Sequence, residues 1–372
     1  MDIFALLCEM ARRKASDLFI TSGVAPSFKI NGRVVPAVQG ILAAEQAKEI
    51  VYSVMSSGQR RQFEASQECN FAIHLQNAGR FRVNVFQQQS HVGMVVRRIE
   101  TRIPTFEQLR LPSIIKDLTL TKHGLIVVAG ATGAGKSTSL AAMIGYRNRH
   151  TNGHIVTIED PVEFIHCHDG CIVTQREVGI DTQSFEAALK NTLRQTPDVI
   201  MIGEIRSREV MEHAVAFAET GHLCLATLHA TNANQVLDRI INFFPKDRRD
   251  QLLLDLSLNL KAVLAQRLIP APDGRGRCPA VEVLVNTPLV ADLIRRSEHH
   301  LLKDVMKRST QHGMKTFDQA VYELYSAGDI TYEDAIYHAD SANEFRLMVK
   351  LNAGENLNSR DFTLEKMEDP DS

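Results

Sequence analysis

Hydrophobic and polar positions divide the 372-residue chain into stretches of different rhythm. The first opens at helical spacing, with Ile3, Leu6, Leu7 and Met10 on one side of an amphipathic helix. Residues 17–20 read as a strand, and residues 27–35 as a hairpin turning at Asn31-Gly32, a pair suited to left-handed backbone. Helical spacing returns over 43–56 and 59–66, and strands are expected at 70–75, 80–86 and 92–99. Within the second of these, Phe81, Val83 and Val85 alternate with Arg82, Asn84 and Phe86, as in a half-buried strand. Residues 1–100 therefore read as a small α/β domain.

Residues 101–113, with Pro104 and Pro112 and no clear period, read as an interdomain linker. From Gly124 the rhythm changes to short, wholly apolar runs at 125–129, 155–158, 199–202 and 223–227, separated by helical stretches. Apolar runs without alternation mean strands covered on both faces, hence a parallel sheet between two helical layers. Residues 114–350 are expected to form this second domain, mostly helical after residue 232. Residues 351–372 are expected to be disordered, since from Gly354 onward they hold six acids against two bases.

Composition narrows the class. A net charge of −2 offers no basic excess for holding nucleic acid. No apolar run approaches the roughly 18–20 residues a spanning helix needs, so a cytoplasmic chain with no transmembrane segment is expected. The six cysteines form no Cys-x-x-Cys pair. His166-Cys167-His168 with Cys171 reads as turn residues rather than a zinc site, because a second ligand pair is missing.

The sharpest chemistry lies at Gly130-Ala131-Thr132-Gly133-Ala134-Gly135-Lys136-Ser137, a complete phosphate-binding loop between an apolar strand and a helix-forming run that continues through Thr138. Its amides and the helix N-terminus suit the phosphates of ATP, Lys136 would reach the β- and γ-phosphates, and Ser137 would ligate Mg²⁺. Hydrolysis also needs a carboxylate to orient water. The run Val199 to Ile202 ends in Gly203-Glu204, which makes Glu204 the candidate, while Gly203 leaves the metal needing another acid. Glu159, Asp160 and Glu163, in the turn broken by Pro161, offer three. His222 and His229 flank the 223–227 strand, where a histidine could sense the γ-phosphate or serve only the fold. Arg80, Arg82 and Arg97, on strands before the linker, are either charge-neutralising fingers or exposed strand residues.

Taken together, these segments resemble the secretion ATPases of type IV pili and type II secretion over residues 1–350, and most of all the pilus retraction branch, PilT and its paralogue PilU. The match rests on the loop at 130–138, VTIEDPVEFIH at 156–166, PDVIMIGEIR at 197–206 and AETGHLCLATLHATNA at 218–233. The resemblance implies a PAS-like N-terminal domain, a RecA-like P-loop ATPase domain and a homo-hexamer, with ATP held between the domains. It also implies Arg82 and Arg97 as arginine fingers, Glu204 as the catalytic glutamate, Glu159 and Glu163 near metal and water, and His222 and His229 as nucleotide sensors. Leu289-Val290-Ala291 and Arg296-Ser297-Glu298 depart from the principal retraction motors, as does the acidic tail. These departures favour an accessory motor working with a PilT-type paralogue on the inner-membrane pilus platform. A regulatory subunit of a partner hexamer, or a motor of type II secretion or DNA uptake, is the alternative.

Overall fold

The computed structural model describes residues 2–30, 32–76, 78–99, 102–274 and 276–352, and its strands form two sheets. Helix α1 (Ile3–Arg12) precedes β1 (Asp17–Ile20), β2 (Ser27–Ile30) and β3 (Arg33–Pro36). Helices α2 (Ala44–Ser53) and α3 (Ser57–Ser66) follow, then β4 (Glu68–Leu75), β5 (Gly79–Gln88) and β6 (His91–Arg98). These strands pair antiparallel in the order β3-β2-β1-β6-β5-β4. Phe81, Val83 and Val85 are fully buried and share one core with Ile3, Leu6, Leu7 and Met10. The helical stripe and the strand alternation thus meet where their periods predict. Ile30 pairs with Arg33 across the hairpin; Asn31 itself lies outside the described residues, as does the acidic tail from residue 353 on.

The expected linker forms no regular element over 102–113, yet Phe106 and Leu111 are buried in the core beneath the second sheet. Helix α4 (Ile114–Thr119) leads into β7 (Gly124–Ala129), α5 (Lys136–His150) and β8 (Gly153–Glu159). Next come β9 (Cys171–Glu177), α6 (Phe185–Thr192), β10 (Val199–Ile202), α7 (Arg208–Glu219) and β11 (Leu223–Leu228). The order is β13-β12-β7-β11-β10-β8-β9. Leu125, Val127 and Ala129 enter the core on one face of this sheet, and Ile126 and Val128 the core on the other. A strand covered on both sides has no polar face to show, which is why these runs do not alternate.

Two expectations need correction. After α8 (Ala233–Asn242) and α9 (Arg249–Asn259) the chain does not stay helical: β12 (Leu260–Pro270) and β13 (Arg277–Val285) form a long antiparallel hairpin. Strand β12 pairs parallel with β7, so the sheet is mixed, with six parallel strands and one antiparallel edge strand. Strand β9, absent from the sequence reading, extends the other edge. The hairpin was hidden because apolar runs carry no period that separates strand from buried helix, whereas β9 offers only Cys171, Ile172 and Val173 as apolar residues. Helices α10 (Pro288–Arg295), α11 (Leu302–Arg308), α12 (Phe317–Ser326), α13 (Tyr332–His338) and α14 (Ala342–Asn352) follow among the described residues.

Candidate functional site

Because β7 to β11 are parallel, their carboxyl ends meet along one edge, where α/β sheets generally hold ligands. The phosphate loop leaves β7 there, and α5 begins at Lys136 with Gly135 in left-handed backbone as its cap. A side chain at Gly130 would come within 2.7 Å of the Gln266 carbonyl on β12, so the loop's turn is closed to anything larger than glycine. Ser139 donates to Gln266 Oε1 at 2.7 Å, tying α5 to the same strand.

Neighbouring strand ends supply the rest. His229 follows β11, Glu204 follows β10, and Glu159 ends β8. His229 Nε2 lies 3.1 Å from Glu204 Oε1, and its Nδ1 lies 3.5 Å from Lys136 Nζ. The tautomer that satisfies both contacts carries its proton on Nε2, donates to the carboxylate and accepts from the ammonium. Lys136 also donates to the carbonyls of Gly130 and Ala131 at 2.8 and 3.0 Å, and burial lowers its pKa. Arg206 holds the other Glu204 oxygen at 2.8 Å and reaches Asp160 at 3.4 Å. Thr227 donates its hydroxyl to the Gly203 carbonyl, fixing the turn that presents Glu204. A Cβ at Gly203 would stand 3.1 Å from both the Ile158 carbonyl and the Glu159 backbone, which accounts for a glycine where a second acid is usual.

The resulting cleft, about 640 Å³, is lined by Thr132, Lys136, Ser137, Glu159, Glu163, Glu204 and His229 among others. Glu159 is buried, and burial raises its pKa even though Thr157 and Gln175 donate to it at 2.6 and 3.2 Å. Glu163 is exposed at the rim. Magnesium in such sites takes one or two protein oxygens and fills its remaining positions with phosphate and water. A hydroxyl at Ser137 and carboxylates at the 159–163 turn, facing one cleft, fit that ion. The His166, Cys167, His168 and Cys171 group does not gather: His168 Nδ1 accepts from the Val173 amide, and Cys171 is buried beside Thr151. Among the described residues no three His, Cys, Asp or Glu side chains are grouped to hold a metal.

Three predicted residues stand apart from the cleft. His222 precedes β11, so it lies about 20 Å from the strand's carboxyl end at 3.3 Å per residue; it is held by Thr220 and by the Phe217 carbonyl. Arg82 and Arg97 are cross-strand neighbours on the first sheet, and each is held by an acid. Arg97 Nε donates to Asp17 at 2.9 Å, while Arg82 Nε lies 3.7 Å from Glu177 at the end of β9. Instead, Arg98 and Arg277 line the cleft, the latter with Nη1 3.5 Å from the Gly133 carbonyl. The sequence reading missed both arginines, together with Gln266. Arg277 and Gln266 sit on the unrecognised hairpin, so no local signal marked them. Arg98 adjoins a flagged arginine, and strand alternation alone would have put it on the other face.

Residues 2–282 match the family model described as type II/IV secretion system protein. The type IV pilus ATPase PilU of Pseudomonas aeruginosa is 66% identical over 94% of this chain and 92% of its own length. The type IV pilus retraction ATPase PilT of the same organism is 38% identical over 90% of this chain and 97% of its own. A crystal structure of the pilus retraction motor PilT with bound ADP superposes with a TM-score of 0.87, at 38% identity, covering 94% of this chain and all of that one. Among the described residues no helix is long and apolar enough to cross a membrane. This chain belongs to the type II/IV secretion system protein family, in the PilT/PilU branch of pilus ATPases, and is an ATP hydrolase.

Proposed function

We propose that this chain is an accessory, PilU-like motor of type IV pilus retraction, and so of twitching motility. The observation that carries the reading is the Lys136–His229–Glu204 chain along one sheet edge, in a protein 66% identical to PilU. In this reading residues 1–100 are a PAS-like domain, 101–113 a linker and 114–350 the RecA-like ATPase domain, with six copies in a ring. The loop from Gly130 to Thr138 binds the phosphates of ATP. Ser137 and Glu159 hold Mg²⁺, which when bound neutralises phosphate charge. Glu204, oriented by His229 and Arg206, accepts a hydrogen bond from the attacking water and lines it up with the γ-phosphate; Glu163 shapes the water's other side. Lys136 leaves its own loop carbonyls for the phosphate oxygens, and Arg82 and Arg97 add positive charge as the domains close. His222 takes no part in the phosphate chemistry of its own chain. The ring works with a PilT-type paralogue against a platform protein at the inner membrane, from the cytoplasmic side.

Glu204→Gln keeps the shape and removes the charge that orients water. ATP binding stays within a few-fold of wild type while turnover falls by roughly a thousandfold; near-normal turnover would overturn the assignment. In cells, deletion of the protein leaves surface pili in place or in excess and abolishes twitching. Loss of surface pili would instead mark an extension motor.

A further inference from the structure

The acid that holds Arg82 is as informative as the arginine. Strands β8 and β9 run parallel with Glu159 opposite Glu177, so Glu177 stands one strand beyond the site's innermost acid, on the same edge. Reading outward from the phosphate loop, the strand ends carry Lys136, His229, Glu204, Glu159 and finally Glu177. Four strand spacings separate β7 from β9, about 19 Å at 4.8 Å each. The γ-phosphate that Glu204 serves would lie at β10, two spacings or about 10 Å from β9, so a guanidinium within ion-pair distance of Glu177 is not at the same time in contact with it.

Glu177 is fully buried, and its Oε2 accepts from the Val162 amide at 3.2 Å. Its Oε1 has no hydrogen bond, only the guanidinium 3.7 Å away. Asp181 engages the Glu177 backbone amide rather than its carboxylate, and Arg80 contributes charge from the same strand as Arg82. A buried carboxylate stripped of its cation is strongly unfavourable. Every departure of Arg82 toward the nucleotide therefore exposes that cost, and the pair favours the arrangement in which Arg82 stays at Glu177.

We propose that Glu177 is a latch: a positioning residue that parks Arg82 at the far end of the sheet edge and sets the affinity at which ATP closes the domains. This rests on the reading of Arg82 as a charge-neutralising finger. With the latch in place only a fraction of the chains is competent to close, and apparent affinity is reduced by that fraction. Removing the charge at Glu177 raises the fraction.

The test is a double-mutant cycle on the full-length assembled protein. It is read by binding of the β,γ-imido analogue of ATP with Mg²⁺, and by steady-state ATP hydrolysis. Glu177→Gln keeps an acceptor for the Val162 amide and lowers the apparent Kd and KM about three- to tenfold. The same substitution leaves the apparent Kd unchanged in an Arg82→Ala background. Equal tightening in both backgrounds, no tightening, or weaker binding in Glu177→Gln overturns the latch. Should Glu177→Gln fail to fold, as judged by thermal unfolding, Glu177→Asp retracts the carboxylate by one methylene and gives a smaller shift of the same sign; no shift there overturns the latch equally. Arg82→Ala alone separates the two readings. Wild-type turnover in that variant removes the finger and the latch with it, whereas lost turnover with no Arg82-dependent tightening removes the latch only.

Discussion

The two sheets use charge in opposite ways. In the antiparallel sheet one face is core and the other is open, so β5 alternates buried Phe81, Val83 and Val85 with Arg82 and Asn84 along its length. In the mixed sheet, β7, β10 and β11 are buried from end to end, and chemistry is confined to the residues just past their carboxyl termini. The first arrangement sets Arg82 and Arg97 side by side on one face. The second converges a lysine, a histidine and carboxylates on one edge and holds them there. In the proposed motor the fixed edge holds the reacting groups and the face bearing Arg82 and Arg97 closes over them.

Substitution at the face bearing Arg82 and Arg97 is expected to cost most. Arg82→Lys and Arg97→Lys keep a charge beside Glu177 and Asp17 but lose the planar fork. Turnover drops by on the order of a thousandfold with thermal stability nearly unchanged. Wild-type hydrolysis in both would return these arginines to a purely structural role. The next effect belongs to the doubly covered sheet. Ile200 has no exposed surface, so Ile200→Ala costs about 2–5 kcal/mol in urea unfolding. A cost under ~1 kcal/mol would mean that β10 is not packed on both faces.

Glu282 on β13 probes the covered sheet through pH. Burial pushes its carboxyl up to about 7 from an ordinary 4.5, although it accepts from the amides of Ala233 and Phe317 at 2.7 and 3.3 Å. Between those two pH values the unfolded chain releases the proton and the folded chain keeps it, so this group's contribution to stability declines as pH rises through the window. The decline is on the order of 3 kcal/mol and levels off above about 7. Glu282→Gln removes that slope; a wild-type-minus-variant stability difference that is the same at pH 5 and pH 8 would show that the group does not titrate there. The smallest effect is expected at the open sheet's edge, where Val34 is 61% exposed and Val34→Ala changes stability by no more than about 0.5 kcal/mol.

How far the site could be read in advance depended on chain distance. The phosphate loop, Gly203-Glu204 and the Glu159–Glu163 turn are contiguous strings placed by their own strands, and each emerges at the edge where the pattern puts it. His229 was legible for the same reason, at the end of an apolar run. His222 lies at the opposite end of that strand, because spacing around a strand does not say which of its ends meets the ligand. Arg277 and Gln266 reach the loop through sheet pairings that no local pattern announces, and Arg98 lines the cleft from the other sheet. The hairpin carrying two of them was read as helical because an apolar run buried on both faces has no period to betray it.

Whatever is local was therefore set by the chain alone: the helical stripe of α1, the alternation of β5, the doubly buried strands, and a loop whose glycines and lysine specify phosphate binding wherever a strand delivers them. It took the folded arrangement to settle which acids Arg82 and Arg97 face, that Gly203 sits tight against the backbone of Glu159, and that His229 links Lys136 to Glu204. Those facts depend on strand order and on distances between residues as far as 95 positions apart, as with Arg82 and Glu177 (177 less 82). Backbone periodicity carries no information about such pairings, because many strand orders bury the same apolar faces equally well.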